Sequence, residues 1–316
     1  MKRWSMFVTP LLPDYVQDEL KKEFDVLFNS RPGRLPDNEI IAGLDGKEIF
    51  FTWIGDRVGA ELIRQLPPSV RAIATYSVGY DHVDLHAAEK RGIAVFNTPG
   101  VLTDAVADAA MLYVLGTARR VMESVALARG RWEGWTPLQL NGRGLSSKVM
   151  GIYGFGRIGQ AIAQRARGFG MKIAYSGRSP SSSTNAIYFA DPDDLVASSD
   201  VLVLACSSTP ETVGFLNKKR ISLMHKEAIV VNVSRGNIVD DDALISALLE
   251  NRILGAGLDV FNNEPNFDPR YRELTNAFIM PHIGSSTVEA RKAMGAILVD
   301  GLMAFINGRS SPNRLV

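Results

Sequence analysis

The sequence predicts an α/β fold built as two doubly wound domains. Three observations carry that reading. Short apolar runs alternate with helix-like segments along two separate blocks of the chain. A glycine-rich stretch, Gly151-Ile152-Tyr153-Gly154-Phe155-Gly156-Arg157-Ile158-Gly159, stands between a strand pattern and a helix pattern in the second block. Two long apolar-rich helix patterns, residues 104–128 and 288–307, flank that block.

In the first block the expected strands are residues 5–9, 25–28, 49–53, 72–76 and 94–97, separated by helices at 15–23, 38–44, 59–65 and 85–91. In the second they are 149–153, 172–175, 201–205, 228–233, 257–260 and 277–280, with helices at 160–166, 194–198 and 241–250. Residues 104–128 are too long for one more crossover and read as a spine helix joining two domains. The last helix follows the final strand and is expected to return to the first domain. That makes the first domain discontinuous, 1–99 with 286–316, and the second 100–285, with hinges near 98–101 and 283–286. Residues 181–184 read as a surface loop.

Strand, G-x-G-x-x-G, helix, strand is the dinucleotide-binding βαβ pattern. In it Gly154 permits the tight turn, Gly156 lets backbone approach a pyrophosphate, and Gly159 lets helix and strand pack closely. Amides at the helix start then meet the phosphate charge. The second domain is therefore expected to be a Rossmann cofactor domain, inserted in a flavodoxin-like substrate domain. An NAD-binding unit carries an acidic residue about 20 residues along the motif for the ribose hydroxyls. Here the second strand ends Tyr175-Ser176-Gly177-Arg178-Ser179, with no carboxylate to repel a 2′-phosphate. Ser176 and Ser179 offer hydroxyls and Arg178 a charged fork. NADP(H) is the expected cofactor, with NAD(H) also admitted.

A chain of 316 residues holds two cores, and 46% hydrophobic with 22% charged residues is ordinary for a globular protein. A net charge of +1 gives no reason to expect nucleic acid or an anionic membrane as partner. A single cysteine, Cys206, excludes an internal disulfide and suits a reducing compartment. Pro10, Pro13 and Asp14 interrupt the first apolar stretch too early for a signal peptide, and no run reaches a membrane span. A cytoplasmic protein is expected.

Of the four histidines, His86 reads as a surface helix residue and His225 as a cation near a helix end. His82 reads as part of a solvated loop. His282 differs, because it follows Met280-Pro281 at a strand end, where open α/β sheets face their ligand crevice. An imidazole there can exchange a proton with a substrate oxygen near neutral pH. Glu264 lies just past the strand ending at Val260, where a carboxylate can fix the tautomer of an imidazole. Arg235, in Asn232-Val233-Ser234-Arg235-Gly236, also stands at a strand end and can grip a carboxylate with paired donors. Singly these are an exposed turn glutamate and a surface arginine; together they point to a catalytic cleft.

With these motifs in hand, the chain resembles the D-2-hydroxyacid dehydrogenases, in the branch of glyoxylate and hydroxypyruvate reductases. The resemblance spans nearly the whole chain and rests on Ser77-Val78-Gly79-Tyr80-Asp81-His82-Val83-Asp84, the glycine motif, 232–236, and the pair Glu264 and Pro281-His282. It implies that Arg235 orients substrate, His282 is the acid/base and Glu264 supports the histidine. The loop 77–79 resembles the family's carboxylate-binding loop, with the amides of Val78 and Gly79 as donors. Asp259 and Gly284 match positions holding the nicotinamide carboxamide, and Thr103 one near the cofactor phosphates. Cys206, Ser207 and Thr212 fall in a cofactor-lining segment, as do Val233 and Ser234. Ala205 and Ser207 depart from the His-Cys-Pro that the family often carries there.

By this resemblance a 2-keto acid has its carboxylate anchored by Val78, Gly79 and Arg235, receives a hydride from the nicotinamide, and takes its proton from His282. No metal is required. The resemblance also implies a hinged, closing cleft and a homodimer formed mainly by cofactor domains. Trp132 and Trp135, in Arg131-Trp132-Glu133-Gly134-Trp135, suggest an arm reaching to the partner, against the plainer reading of a packed loop. Three other readings share the motifs. A nucleotide-sensing corepressor would have the same fold, but the chain lacks long disordered tails. A formate dehydrogenase-like enzyme typically has Gln in place of Glu264. A phosphoglycerate dehydrogenase-like enzyme often carries a regulatory domain for which this length leaves no room.

Overall fold

A computed structural model describes residues 3–181 and 185–316. Of the loop expected at 181–184, residues 182–184 lie outside the described residues. The chain forms two compact units, Met1–Leu102 with Ser286–Val316, and Thr103–Ser285.

The first unit alternates β1 (Ser5–Val8), α1 (Asp14–Glu23), β2 (Asp25–Phe28), α2 (Asp37–Gly43), β3 (Ile49–Thr52), α3 (Ala60–Gln65), β4 (Ala72–Thr75), α4 (Leu85–Lys90) and β5 (Ala94–Phe96). Its sheet is parallel, in the flavodoxin-like order β2-β1-β3-β4-β5. Phe7, Phe50, Ile73 and Val95 meet in one core, which explains why these strands read as unbroken apolar runs.

In the second unit α5 (Thr103–Ala118) and α6 (Val121–Arg129) precede β6 (Val149–Tyr153), α7 (Arg157–Gly168), β7 (Lys172–Ser176), β8 (Ile187–Tyr188), α8 (Pro192–Ser198) and β9 (Val201–Leu204). Then come α9 (Lys218–Leu223), β10 (Ile229–Asn232), α10 (Asp241–Leu249), β11 (Gly255–Leu258) and β12 (Ala277–Ile279). The seven strands are parallel in the order β12-β11-β10-β9-β6-β7-β8. Alternate residues face opposite cores: Leu202, Leu204 and Val230 on one side, Val201, Val203, Ile229 and Val231 on the other. The last helix, α11 (Val288–Ile306), belongs to the first unit and packs on α1. Thr287 caps it by accepting the Ala290 amide at 3.1 Å.

One expectation fails. The single spine helix over 104–128 is two helices, and α5 lies wholly inside the second unit, packed on α7, β10 and β11. Arg120 takes the left-handed conformation at φ 53°, while its guanidinium grips Glu123 of α6 at 2.6 and 2.8 Å. The Ala118 carbonyl is closed off by the Arg143 amide at 2.8 Å, donated from a distant loop. Neither Gly nor Pro marks the break, so the helix period runs through it unbroken. Two short elements, β8 and α9, also escape the sequence pattern. At 2 and 6 residues they are too short to show a period.

Candidate active site

Parallel strands put all their carboxyl ends on one edge of the second unit, and the sequence-predicted residues line that edge in strand order. His282 follows β12, Glu264 follows β11, Arg235 follows β10, Cys206 follows β9, Gly154 follows β6 and Arg178 follows β7. The strand order reverses between β9 and β6, which is where such sheets open a crevice for ligands.

At one end, His282 Nδ1 and Glu264 Oε2 are 2.7 Å apart. A carboxylate only accepts, so Nδ1 carries the proton and Nε2 is left uncommitted. Nε2 has no protein partner among the described residues. Glu264 is itself held, since its Oε1 accepts the Phe261 amide at 2.7 Å. The plainer reading of Glu264 as a free turn carboxylate is therefore set aside. His282 adopts φ 54°, unusual for a residue with a side chain, and its amide donates to the Asp259 carbonyl at 2.8 Å.

Asp259, 2% exposed, fixes the rest of that turn. Its Oδ1 accepts from Ile283 N at 2.8 Å and Tyr113 Oη at 2.7 Å, and its Oδ2 from Gly284 N at 2.9 Å. Burial, then the charge of Asp259, push the Tyr113 phenol far above its ordinary range, so its hydroxyl stays a donor. In the protein itself, then, Asp259 and Gly284 build the backbone that presents His282. Tyr113 completes this support and carried no signal in the sequence, because an α5 tyrosine at a core position looks like any other core aromatic.

Arg235 stands in extended conformation at φ −141°, half-buried, with Nη1 donating to the Ser234 carbonyl at 2.9 Å. Its loop is fixed by Asn232, which donates to the Arg235 carbonyl at 2.9 Å and accepts the Ser234 amide at 3.0 Å. Gly236 brings this loop against the one carrying Glu264: a Cβ there would lie 1.9 Å from the Phe261 carbonyl carbon. Ser234 Oγ donates to the Cys206 carbonyl. Burial pushes the Cys206 thiol up to about 11, so it is a neutral group. Thr212 Oγ1 donates to the Ser207 carbonyl at 2.8 Å and accepts the Thr209 amide at 2.8 Å, which closes the 207–212 loop on itself.

The glycine motif fits a dinucleotide. Gly154 turns at φ 98°, and a Cβ there would meet Cys206 N at 2.5 Å. A Cβ on Gly159 would lie 2.2 Å from the Gly154 carbonyl oxygen. Gly156 is different: it opens α7 with no capping side chain, and a Cβ there would meet nothing within 4 Å. The first-turn amides of α7, from Arg157 and Ile158 onward, thus start a helix that leaves room for an anion. Phe155 stacks on Tyr175 at 4.0 Å and holds the motif against β7. Beyond β7, Arg178 and Ser179 are exposed. Ser176, expected beside them as a hydroxyl donor, is only 3% exposed, and its carbonyl accepts the Gly154 amide at 2.9 Å. It belongs to the strand end rather than the rim. Thr103 is half-buried at the start of α5.

In the first unit the loop 77–79 follows β4. The amides of Val78 and Gly79 have no protein acceptor among the described residues. His82, read from sequence as solvated, is half-buried, with Nε2 2.8 Å from Thr75 Oγ1. Thr75 Oγ1 is also 2.8 Å from Ser77 Oγ, which donates to the Gly79 carbonyl at 2.7 Å. Each hydroxyl has one proton. Ser77 gives its proton to Gly79, so Thr75 gives its own to Ser77, and His82 must donate from Nε2. His86 is exposed as expected, and His225 Nε2 faces Asp200 at 3.4 Å.

A nucleotide cradle at the switch point, with an oriented imidazole on the same strand edge, defines a nucleotide-dependent oxidoreductase. Comparison with known proteins makes this specific. The family described as "D-isomer specific 2-hydroxyacid dehydrogenase, NAD binding domain" matches residues 111–284. The glyoxylate reductase of Thermococcus litoralis is 41% identical over 98% of this chain and 96% of its own. The glyoxylate reductase/hydroxypyruvate reductase of Mus musculus is 40% identical over 89% of this chain and 88% of its own. The NADPH-dependent glyoxylate/hydroxypyruvate reductase of Sinorhizobium meliloti, solved with NADP and malonate, superposes with a TM-score of 0.90 at 32% identity, covering 100% of this chain and 97% of the other. The chain belongs to the D-isomer-specific 2-hydroxyacid dehydrogenase family. It is an NAD(P)-dependent enzyme, which sets aside the corepressor reading. Among the described residues no helix is long and apolar enough to cross a membrane, and no cluster of His, Cys, Asp or Glu is placed to hold a metal ion.

Proposed function

We propose that this enzyme reduces a small 2-keto acid, glyoxylate or hydroxypyruvate, to the D-2-hydroxy acid, with NADPH preferred over NADH. The observation that carries the reading is the 2.7 Å bond between Glu264 and His282, which leaves Nε2 free for substrate. Gly154, Phe155, Gly156, Arg157, Ile158 and Gly159 hold the pyrophosphate, while Thr103, Cys206, Ser207, Thr212, Val233, Ser234, Asp259, His282 and Gly284 complete the cofactor surround. When bound, the reduced nicotinamide supplies the hydride to the keto carbon. Arg235 pairs with the substrate, the Val78 and Gly79 amides donate to its carboxylate, and His282, protonated on both nitrogens and steadied in that charged form by Glu264, gives its Nε2 proton to the carbonyl oxygen and is left as the neutral imidazole. Purified enzyme assayed with both reduced cofactors against glyoxylate, hydroxypyruvate, pyruvate and phenylpyruvate tests this. Turnover of the first two should dominate; absence of activity on every keto acid would overturn it.

The cofactor preference rests on the exposed Arg178 and Ser179 beyond β7, with no carboxylate between 175 and 179, and on the NADP of the Sinorhizobium relative. Losing a charged hydrogen bond costs about 1.5–3 kcal/mol. Arg178→Ala should therefore raise KM for NADPH by about ten- to a hundredfold and leave NADH nearly unchanged. Equal loss with both cofactors, or a wild-type preference for NADH, contradicts the assignment.

We further propose a homodimer. Its support is an apolar surface on one unit: α6 buries no residue, Met122 and Val125 are exposed, and Trp132, Trp135 and Leu138 are 57%, 76% and 84% exposed. Bare indoles on that scale favour a protein partner. One of the two tryptophans then lines the partner's substrate pocket.

A further inference from the structure

Resting on the reading that the Val78 and Gly79 amides hold the substrate carboxylate, we propose that the Asn97 side chain is the positioning group that aims the Gly79 amide, beside a Val78 amide set by the Thr98 backbone. In a trans peptide the N–H points opposite to the preceding C=O, so holding a carbonyl fixes the direction of the next amide. The Val78 carbonyl accepts Asn97 Nδ2 at 2.9 Å, and that peptide carries the Gly79 amide. The Ser77 carbonyl accepts Thr98 N at 3.0 Å, and that peptide carries the Val78 amide. Both donor peptides therefore hang by their carbonyls from the two residues that follow β5.

Asn97 is 5% exposed and is itself gripped at both ends. Its amide donates to the Asn313 carbonyl at 3.1 Å, and its carbonyl accepts Asn313 Nδ2 at 3.0 Å. Asn313, 1% exposed, donates also to the Ile297 carbonyl of α11 at 3.0 Å and accepts Ser311 Oγ at 2.5 Å. The last residues continue along β5, with Leu315 N on the Val95 carbonyl at 2.7 Å. The carboxyl-terminal segment and α11 thus brace the residue whose side chain sets the Gly79 amide. Because the Asn97 side chain acts through the Val78 carbonyl, its truncation leaves the backbone bonds to Asn313, the proton-transfer group and the nucleotide cradle untouched.

The test compares a 2-keto acid with its methyl ester. Wild-type enzyme should prefer the acid; if it does not, the carboxylate reading of the loop fails and this inference fails with it. Given that preference, Asn97→Ala should raise KM for the acid about tenfold or more, since a charged hydrogen bond carries one to two decades in affinity. The ester, the NADPH Kd and the Tm should stay near wild type. Asn97→Asp preserves shape and loses the donor at neutral pH, so it should show the same defect and recover relative to wild type as the pH falls and the acid gains a proton. Unchanged KM for the acid in both variants would overturn the proposal. So would a joint fall in Tm, cofactor binding and ester turnover, which marks a purely structural role. If Asn97→Ala fails to fold, the pH-dependent KM of Asn97→Asp decides alone.

Discussion

His282 shows how much of this site depends on single residues holding one another. Its ring is fixed by Glu264 and its backbone by Asp259, so the imidazole has one nitrogen committed and one free. A general acid contributes about 10²–10⁴ in rate. His282→Ala should therefore lower kcat by that order while NADPH binding, read by fluorescence titration, survives; wild-type turnover would remove His282 from the mechanism. Glu264→Gln, which keeps the imidazole but not the charge, should reduce kcat less and change its pH profile. A second residue, Asp56, is completely buried, with Oδ2 accepting from Thr9 and Thr52 Oγ1 and Oδ1 without a hydrogen-bond partner among the described residues. Burial raises its pKa above the ordinary 3.8, outweighing the hydrogen bonds that lower it. The neutral form is thus the one the fold favours: its contribution to stability is complete below 3.8 and is lost as pH rises through the folded value. Asp56→Asn, neutral at every pH, should match or exceed the wild-type Tm at pH 7, with the difference shrinking toward pH 4. Calorimetry at several pH values checks this, and a uniformly lower Tm would contradict it.

At the scale of elements, the βαβ unit around α7 contains two glycines with opposite duties. Gly154 faces Cys206 and turns at positive φ, so Gly154→Ala strains the backbone and drives a methyl into the next strand end. It should lose at least about 1–3 kcal/mol of stability. Gly156 faces open space, so Gly156→Ala should keep its Tm and instead weaken NADPH about tenfold or more by putting a methyl where a charged phosphate contact forms. Urea melts and cofactor titrations on the two variants separate the cases; a destabilised Gly156→Ala that binds normally would refute the cradle. The pattern of this unit was legible because each glycine serves a local requirement and the strands on both sides are plainly apolar. The break at Arg120 was not, because it is made by a partner loop 23 residues further along, whose Arg143 amide takes the last carbonyl of α5. Local periodicity does not report such a cap.

For the whole molecule, the exposed apolar face of α6 and the bare Trp132 and Trp135 are the surface on which the proposed homodimer would form. Sedimentation at assay concentration should give a dimer, and Trp132→Ala or Trp135→Ala should weaken association or raise KM. A monomeric wild type would contradict the interface; unchanged assembly and KM in both variants would retire the arm. The α/β class, nearly every strand, the nucleotide motif and the order in which His282, Glu264 and Arg235 fall at strand ends could all be read from the residues alone. Strand burial and glycine turns are written in adjacent residues, which is why these features were legible. Pairings across the fold emerged only once the chain was folded: Asn97 with Val78, Tyr113 with Asp259, and His82 with the Thr75–Ser77 relay. Folding also withdrew Ser176 from the rim and split the spine. These are matters of which polar group meets which across the fold, and hydrophobic pattern carries no record of them.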